Sequence, residues 1–231
     1  MTADSASINL THHFLIAMPG LEDATFAKSV VYLCEHSERG ALGLVINKPS
    51  DLSMRGLFEK VELPLHRADL VDAPVLKGGP VHTERGFVLH EGMFAHPQEG
   101  AFPAQYGAEP VQGNLDLGLA ATPTHDASSA LKSESVYAST MMISGGLEMT
   151  TSKDVLEALS TGAGPRKVLI SLGYSAWGEG QLESELAENS WLTVGADVQV
   201  IFDTPIEERY ERAMGLLGLQ SWMLSSEAGH S

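Results

Sequence analysis

Hydrophobic residues in this chain fall into short runs separated by glycine- and proline-bearing corners, and the spacing within each run separates strands from helices. Residues 10–18 predict a first strand, whose apolar run over 14–18 closes at Pro19-Gly20, where proline lacks a ladder donor and glycine accepts turn geometry. Residues 29–36 alternate so that Val30, Tyr32, Cys34 and His36 share one face while Val31, Leu33 and Glu35 share the other. Apolar residues on both faces predict a strand covered on two sides. The connection Ser37-Glu38-Arg39-Gly40 then leads into residues 41–47, which predicts a hairpin ending at Asn47-Lys48-Pro49. Met54, Leu57, Phe58 and Val61 follow at helical spacing, with Ser53 in place to cap the helix. Val75-Leu76, the corner Gly78-Gly79-Pro80 and residues 86–90 predict two short strands joined by a tight turn and paired antiparallel.

The second half opens at residues 141–143 and continues into a helix over 152–159, started by Thr151 and Asp154 as a capping pair and stopped by Gly162, Gly164 and Pro165. Residues 167–172 predict a strand. After it, the stretch 173–192 reads as a turn hinged on Gly173, Gly178 and Gly180, then a helix in which Leu182 and Leu186 sit four apart, bracketed by Trp177 and Trp191. Residues 197–202 place Val198, Val200 and Phe202 on one face and predict another strand. The last helix has Thr204, Pro205 and Glu207 in the positions of a capping box, and an apolar face of Ile206, Tyr210, Met214 and Leu217 up to Gly218. Hairpins mixed with strand-helix-strand units predict an α+β fold.

Between residues 93 and 140 no period survives, and alanine, glycine, proline, serine and threonine dominate. Such a stretch predicts a mobile low-complexity insertion in a domain spanning 10–222, with residues 1–9 a flexible N-terminus and 223–231 a fraying tail. Fourteen basic residues against thirty acidic ones give a net charge of -16, and the basic residues are scattered. That field repels phosphate backbones and anionic headgroups, so neither nucleic acid nor membrane is an expected partner. Cys34 is the only cysteine, which excludes an intrachain disulfide and suits a reducing compartment. With no signal-peptide pattern and no membrane-span pattern either, the expected location is the cytoplasm, as a monomer or weak homodimer.

Four motifs in order, LTHHFLIAMPGL at 10–21, VVYLCEHSERGALGLVINKP at 30–49, GGPV with RGFVLH within 78–90, and LGYSAWGEGQLESELAENSWL at 172–192, resemble the YqgE/AlgH family of bacterial proteins of unknown function. The resemblance covers roughly residues 10–92 and 141–222. It implies a single α+β domain with a large, strongly bent, partly barrel-like mixed sheet, mainly antiparallel, and helices packed outside it. Family members are expected to have a shorter connection where this chain has residues 93–140. The family also carries a label as a transcriptional regulator, but no helix-turn-helix pattern supports it here and the charge has the wrong sign.

Candidate chemistry is sparse. Glu35 and His36 point to opposite faces and cannot share a proton, while Cys34 and His36 share a face but stand too far apart for direct thiolate activation. His12, His13, His36, His90 and Glu35 lack any metal-ligand spacing, so no metal and no cofactor is expected. Glu179, Glu183, Glu185 and Glu188 read as a solvated acidic face. A pocket is the more informative expectation. Asn47 and Lys48 at a strand end, Gly79 at its corner, His90 at a strand end, and Trp177 with Gln181 at the hinge combine an aromatic wall with polar groups from loops. They are the candidate ligand-binding residues, and no catalytic set can be assembled around them. Two functions follow: a small-molecule-binding protein using these residues, or a regulatory or protein-interaction module whose acidic surface and insertion meet a protein partner.

Overall fold

A computed structural model of the chain describes residues 8–93 and 135–224. The expected N-terminal flexibility over residues 1–7, most of the 93–140 insertion and the end of the tail lie outside the described residues. The strands are β1 (His13–Ala17), β2 (Val30–Ser37), β3 (Gly40–Val45), β4 (Pro49–Ser53), β5 (Pro74–Lys77), β6 (Val81–Glu91), β7 (Thr140–Ile143), β8 (Leu147–Thr150), β9 (Val168–Trp177) and β10 (Trp191–Gly195). The α-helices are α1 (Met54–Lys60), α2 (Asp154–Thr161), α3 (Gln181–Ala187), α4 (Val198–Phe202) and α5 (Arg209–Leu216). One continuous path runs β10-β1-β2-β3-β9-β6-β8-β7, antiparallel throughout and curled into a half-barrel.

β9 is the strand that the others are arranged around. Its first half pairs with β6, and its second half pairs with β3 at Gly43↔Ser175 and Ala41↔Trp177. β5 runs parallel to β9 at Leu76↔Ser171 and Lys77↔Leu172, on the edge that β3 takes over farther along. The sheet therefore forks at Gly173. There the β5–β6 corner presses its backbone on β9: a Cβ built at Gly79 would stand 2.3 Å from the Tyr174 carbonyl, and one at Gly173 would stand 2.5 Å from the Gly79 carbonyl oxygen. Gly173 also takes φ +71°, which side chains disfavour.

Sequence and structure part company at this strand. The expected break at Gly173 does not occur, because pairing with β3 carries the strand on to Trp177. β5 and β6, expected to pair with each other, instead take opposite edges of β9. The expected strand over residues 197–202 is instead α4 with its cap: Asp197 stays extended and accepts the Gln199 N–H, and Val200 and Ile201 within the helix are buried. Thr204 does not cap the following helix; its hydroxyl donates to the Gln199 carbonyl, and a 3-10 turn (Ile206–Glu208) precedes α5. β4, β8 and β10 were not legible in the pattern. Ser53 does cap α1, accepting the Gly56 N–H, and β2 and β3 do form the hairpin.

A bulge in that hairpin changes which residues are neighbours. Leu33 pairs with Gly43 and Glu35 with Leu42, so Cys34 is the extra residue and the alternation slips by one. Cys34 stays with Tyr32 on one face, while His36 moves to the other, opposite Ala41. The expected Cys34/His36 face does not exist. Burial and Glu35 push the Cys34 thiol well above its usual range.

Side chains on the inner face form one core, with Phe14, Tyr32, Leu44, Leu89 and Met149 meeting Val200 and Ile201 of α4 and Tyr210 and Met214 of α5. On the outer face the curvature splits the core in two. One part, under α1 and α2, joins Leu57, Phe58, Leu156 and Ile170; the other, under α3, joins Leu15, Val31, Trp177, Leu182 and Trp191.

Glu185 on α3 holds the second of these outer cores together. Its Oε2 accepts the indole N–H of Trp177 at 2.9 Å and that of Trp191 at 2.8 Å, and its Oε1 accepts Gln181 Nε2 at 3.0 Å. It is a shared acceptor and not part of a purely solvated face. Glu185→Ala leaves two indole donors without a partner and is expected to cost about 2 to 4 kcal/mol, read from urea unfolding by tryptophan fluorescence; Glu185→Gln, which keeps an acceptor, should cost less. Gly173→Ala should lower stability by about 2 kcal/mol or more in the same assay, because both the φ angle and the contact with Gly79 oppose a side chain.

Candidate functional site

The β5–β6 corner, the start of β4 and the loop before β2 enclose a cleft of about 540 Å³. Lys48, Lys77 and Gly79 line it together with Thr25, Pro80 and Leu172, and no carboxylate lies among its lining residues. Lys48 Nζ donates to the Ala27 carbonyl at 2.6 Å, which leaves further ammonium donors unused. Burial and the nearby Lys28 lower its pKa from the ordinary lysine value. Lys77 is exposed.

The wall of this cleft is a loop built by its own side chains. Asp23 Oδ1 accepts the N–H groups of Thr25 and Phe26, each at 2.8 Å, and the Ala27 N–H donates to the Asp23 carbonyl. Asn47 locks the end of the loop to the sheet: Oδ1 accepts the Val30 N–H and Nδ2 donates to the Lys28 carbonyl, both at 2.8 Å. Behind the wall, Phe26 packs on Trp191 with ring centroids 5.4 Å apart and on Trp177 at 6.1 Å.

The six candidate residues are thus sorted by position. Lys48 and Gly79 line the cleft. Asn47 fixes the wall from the side, and Trp177, 5% exposed, supports it from behind through Phe26. Gln181 sits one contact farther back, where Oε1 accepts the Gly178 N–H and Nε2 donates to Glu185. His90 stands apart, at the other end of β6, opposite Glu148 in the β6–β8 register. Its Nδ1 donates to the Glu91 carbonyl at 2.8 Å, its Nε2 lies 4.0 Å from Glu148 Oε2, and burial lowers its pKa.

Sequence reasoning missed Lys77, Thr25 and Pro80 at the cleft. Pro80 lay within a corner already marked by its glycines, whereas nothing in the sequence set Lys77 apart from the other scattered lysines. His36, now on the outer face, accepts the Leu10 N–H through Nδ1 and donates from Nε2 to Glu183 at 2.9 Å, which ties α3 to β2. Among the described residues, no three histidine, cysteine or carboxylate side chains gather as a metal site, and no helix is long and apolar enough to cross a membrane.

A family model described as AlgH-like (DUF179) matches residues 14–222. The chain is 68% identical to a UPF0301 protein of Paracidovorax citrulli (strain AAC00-1) and 67% identical to one of Variovorax paradoxus (strain S110), in both cases over 231 residues and the whole of each protein. The match includes residues 93–140, so these relatives carry that stretch as well. Among solved structures, the solution structure of the AlgH protein from Pseudomonas aeruginosa is 41% identical, with 98% of each chain covered and a TM-score of 0.64. A crystal structure of a Corynebacterium diphtheriae protein, 16% identical with 94% and 92% covered, shares the fold at a TM-score of 0.59. Motifs, curled sheet and full-length identity agree, and the chain belongs to the AlgH-like family.

Proposed function

We propose that this protein binds a small molecule bearing a carboxylate or phosphate group in the cleft at the Gly79 corner. One observation carries the reading: in a chain of net charge -16, two lysines line a cleft whose lining residues include no carboxylate. Lysine ammonium groups supply charge-assisted hydrogen bonds to an oxyanion, while Val45, Pro80 and Leu172 offer an apolar surface to the rest of the ligand. In a chain this acidic, a cleft lined by lysines and by no carboxylate offers an anionic ligand local attraction against the repulsion of the net charge. Asn47 and Trp177 act in this reading as positioning residues, because they hold the loop that carries Thr25.

The test is a thermal-shift panel of small carboxylates and phosphate esters beside their neutral analogues. Selected anionic compounds are expected to raise the melting temperature of the wild type, since a ligand bound only by the folded state stabilises it. Lys77→Ala, an exposed change that leaves the core untouched, should weaken binding by about tenfold, and Lys48→Met by a similar factor. If no compound stabilises the wild type, or both variants respond as the wild type does, the ligand reading fails and the protein-interaction module becomes the better account.

A further inference from the structure

A second cleft, of about 330 Å³, opens where the start of β9 meets the turn between α4 and α5. Arg209 lines it, at 7% exposure. Its Nε donates to the Thr204 carbonyl at 3.0 Å and its Nη1 to the Ile46 carbonyl. Nη2 has no hydrogen-bond partner among the described residues, and no described carboxylate oxygen lies within 4.0 Å of the guanidinium. Burial lowers its pKa to about 10, against the opposing pull of Glu207, so the group still carries its charge at neutral pH.

Nη2 is not among the fully buried polar atoms that lack a partner, so it opens to the cleft, where a mostly buried guanidinium held only by neutral carbonyls attracts an anion more strongly than an exposed one would. The cleft's own carboxylates are already engaged. Asp203 pairs with Lys167 at 2.6 Å, and Asp69 takes a two-pronged pair from Arg67 at 2.6 and 2.8 Å. Arg166, also in the lining, is exposed and forms no ion pair among the described residues. The cleft therefore presents two guanidinium groups without a carboxylate partner, in a chain where acidic residues outnumber basic ones thirty to fourteen.

We infer that this cleft is a binding site for a small oxyanion, a phosphate or a carboxylate, held by the free Nη2 of Arg209 and by Arg166. The planar guanidinium matches two oxygens of such an anion, which a lysine in the same place does not. The site is separate from the cleft at Gly79 and shares no lining residue with it. Occupancy would connect the end of β3 at Ile46, the start of β9 and the α4–α5 turn through one ligand, because Arg209 already bonds to Ile46 and Thr204.

Titration of the full chain with inorganic phosphate, and separately with succinate, followed by amide chemical shifts, tests the assignment. Saturable shifts at Val168, Asp203 and Ile206 at roughly millimolar anion are expected, with the phosphate and succinate arms ranking the two oxyanion classes. Arg166→Ala, which is exposed and leaves the carbonyl clamp intact, should weaken binding about threefold or more, and Arg209→Lys about tenfold. Shifts that rise linearly without saturation in both arms, or saturation unchanged in Arg166→Ala, overturn the assignment. If Arg209→Lys does not fold, the response of Arg166→Ala alone separates binding in this cleft from its absence. Shifts confined to Lys48, Lys77 and Gly79 would count against this cleft and for the other one.

Discussion

The backbone contact between the Gly78-Gly79 corner and β9 at Gly173 sets the geometry of the rest. Two chain segments meet there at a distance that leaves no room for a side chain on either. Because the corner occupies that space, β5 stops beside the first half of β9 and β3 takes the same edge beyond it. The Val45 N–H donates to the Gly78 carbonyl, and the Ser175 hydroxyl donates to the same oxygen, so the fork is closed by hydrogen bonds on both arms. A single strand thereby carries the N-terminal meander on one half and the β6–β8–β7 meander on the other.

Curvature then distributes the helices. The inner face of the bent sheet gathers one core, and the short helices α4 and α5 fill it, with the Tyr210 hydroxyl donating to the Ala17 carbonyl at 2.7 Å and Arg209 clamping Ile46. The outer face diverges, so α1 with α2 and α3 each cover a separate patch. The same fork that divides these patches opens the cleft beside Gly79, and the stack of Phe26, Trp177 and Trp191 connects the cleft wall to the core under α3. Stability and site geometry consequently share residues. Glu185 illustrates this: by accepting both indole N–H groups it orients the rings on which the wall rests.

Charge follows the same division. Against a net charge of -16, each of the two clefts is lined by two basic groups without a carboxylate partner among the described residues, Lys48 and Lys77 at one and Arg166 and Arg209 at the other. The first cleft sets two lysine ammonium groups, one of them anchored on the Ala27 carbonyl, beside an apolar patch, the combination from which an organic ligand with an acidic end is proposed. The second presents rigid guanidinium planes, one of them buried, which suits a compact oxyanion.

Patterns that a few neighbouring residues settle were legible in the sequence. The β2–β3 hairpin, α1 with its Ser53 cap, the α3 segment after Gly180, and the α+β class all follow from alternation, helical spacing and turn chemistry within one segment. Of the six candidate residues, Lys48 and Gly79 line the cleft and Asn47 and Trp177 stand beside its wall, because strand ends and glycine corners mark where loops gather. What the sequence could not fix was which distant segment each element meets. Gly173 read as a break until β3 pairing carried β9 through it, and residues 197–202 read as a strand until the concave core took them as α4. One bulged residue at Cys34 moved His36 to the other face, and the β6–β8 pairing drew His90 away from the cleft. Local propensity differs between such alternatives by about 1 kcal/mol or less per residue, whereas burial and ladder pairing across the sheet contribute several, so the long-range contacts decide.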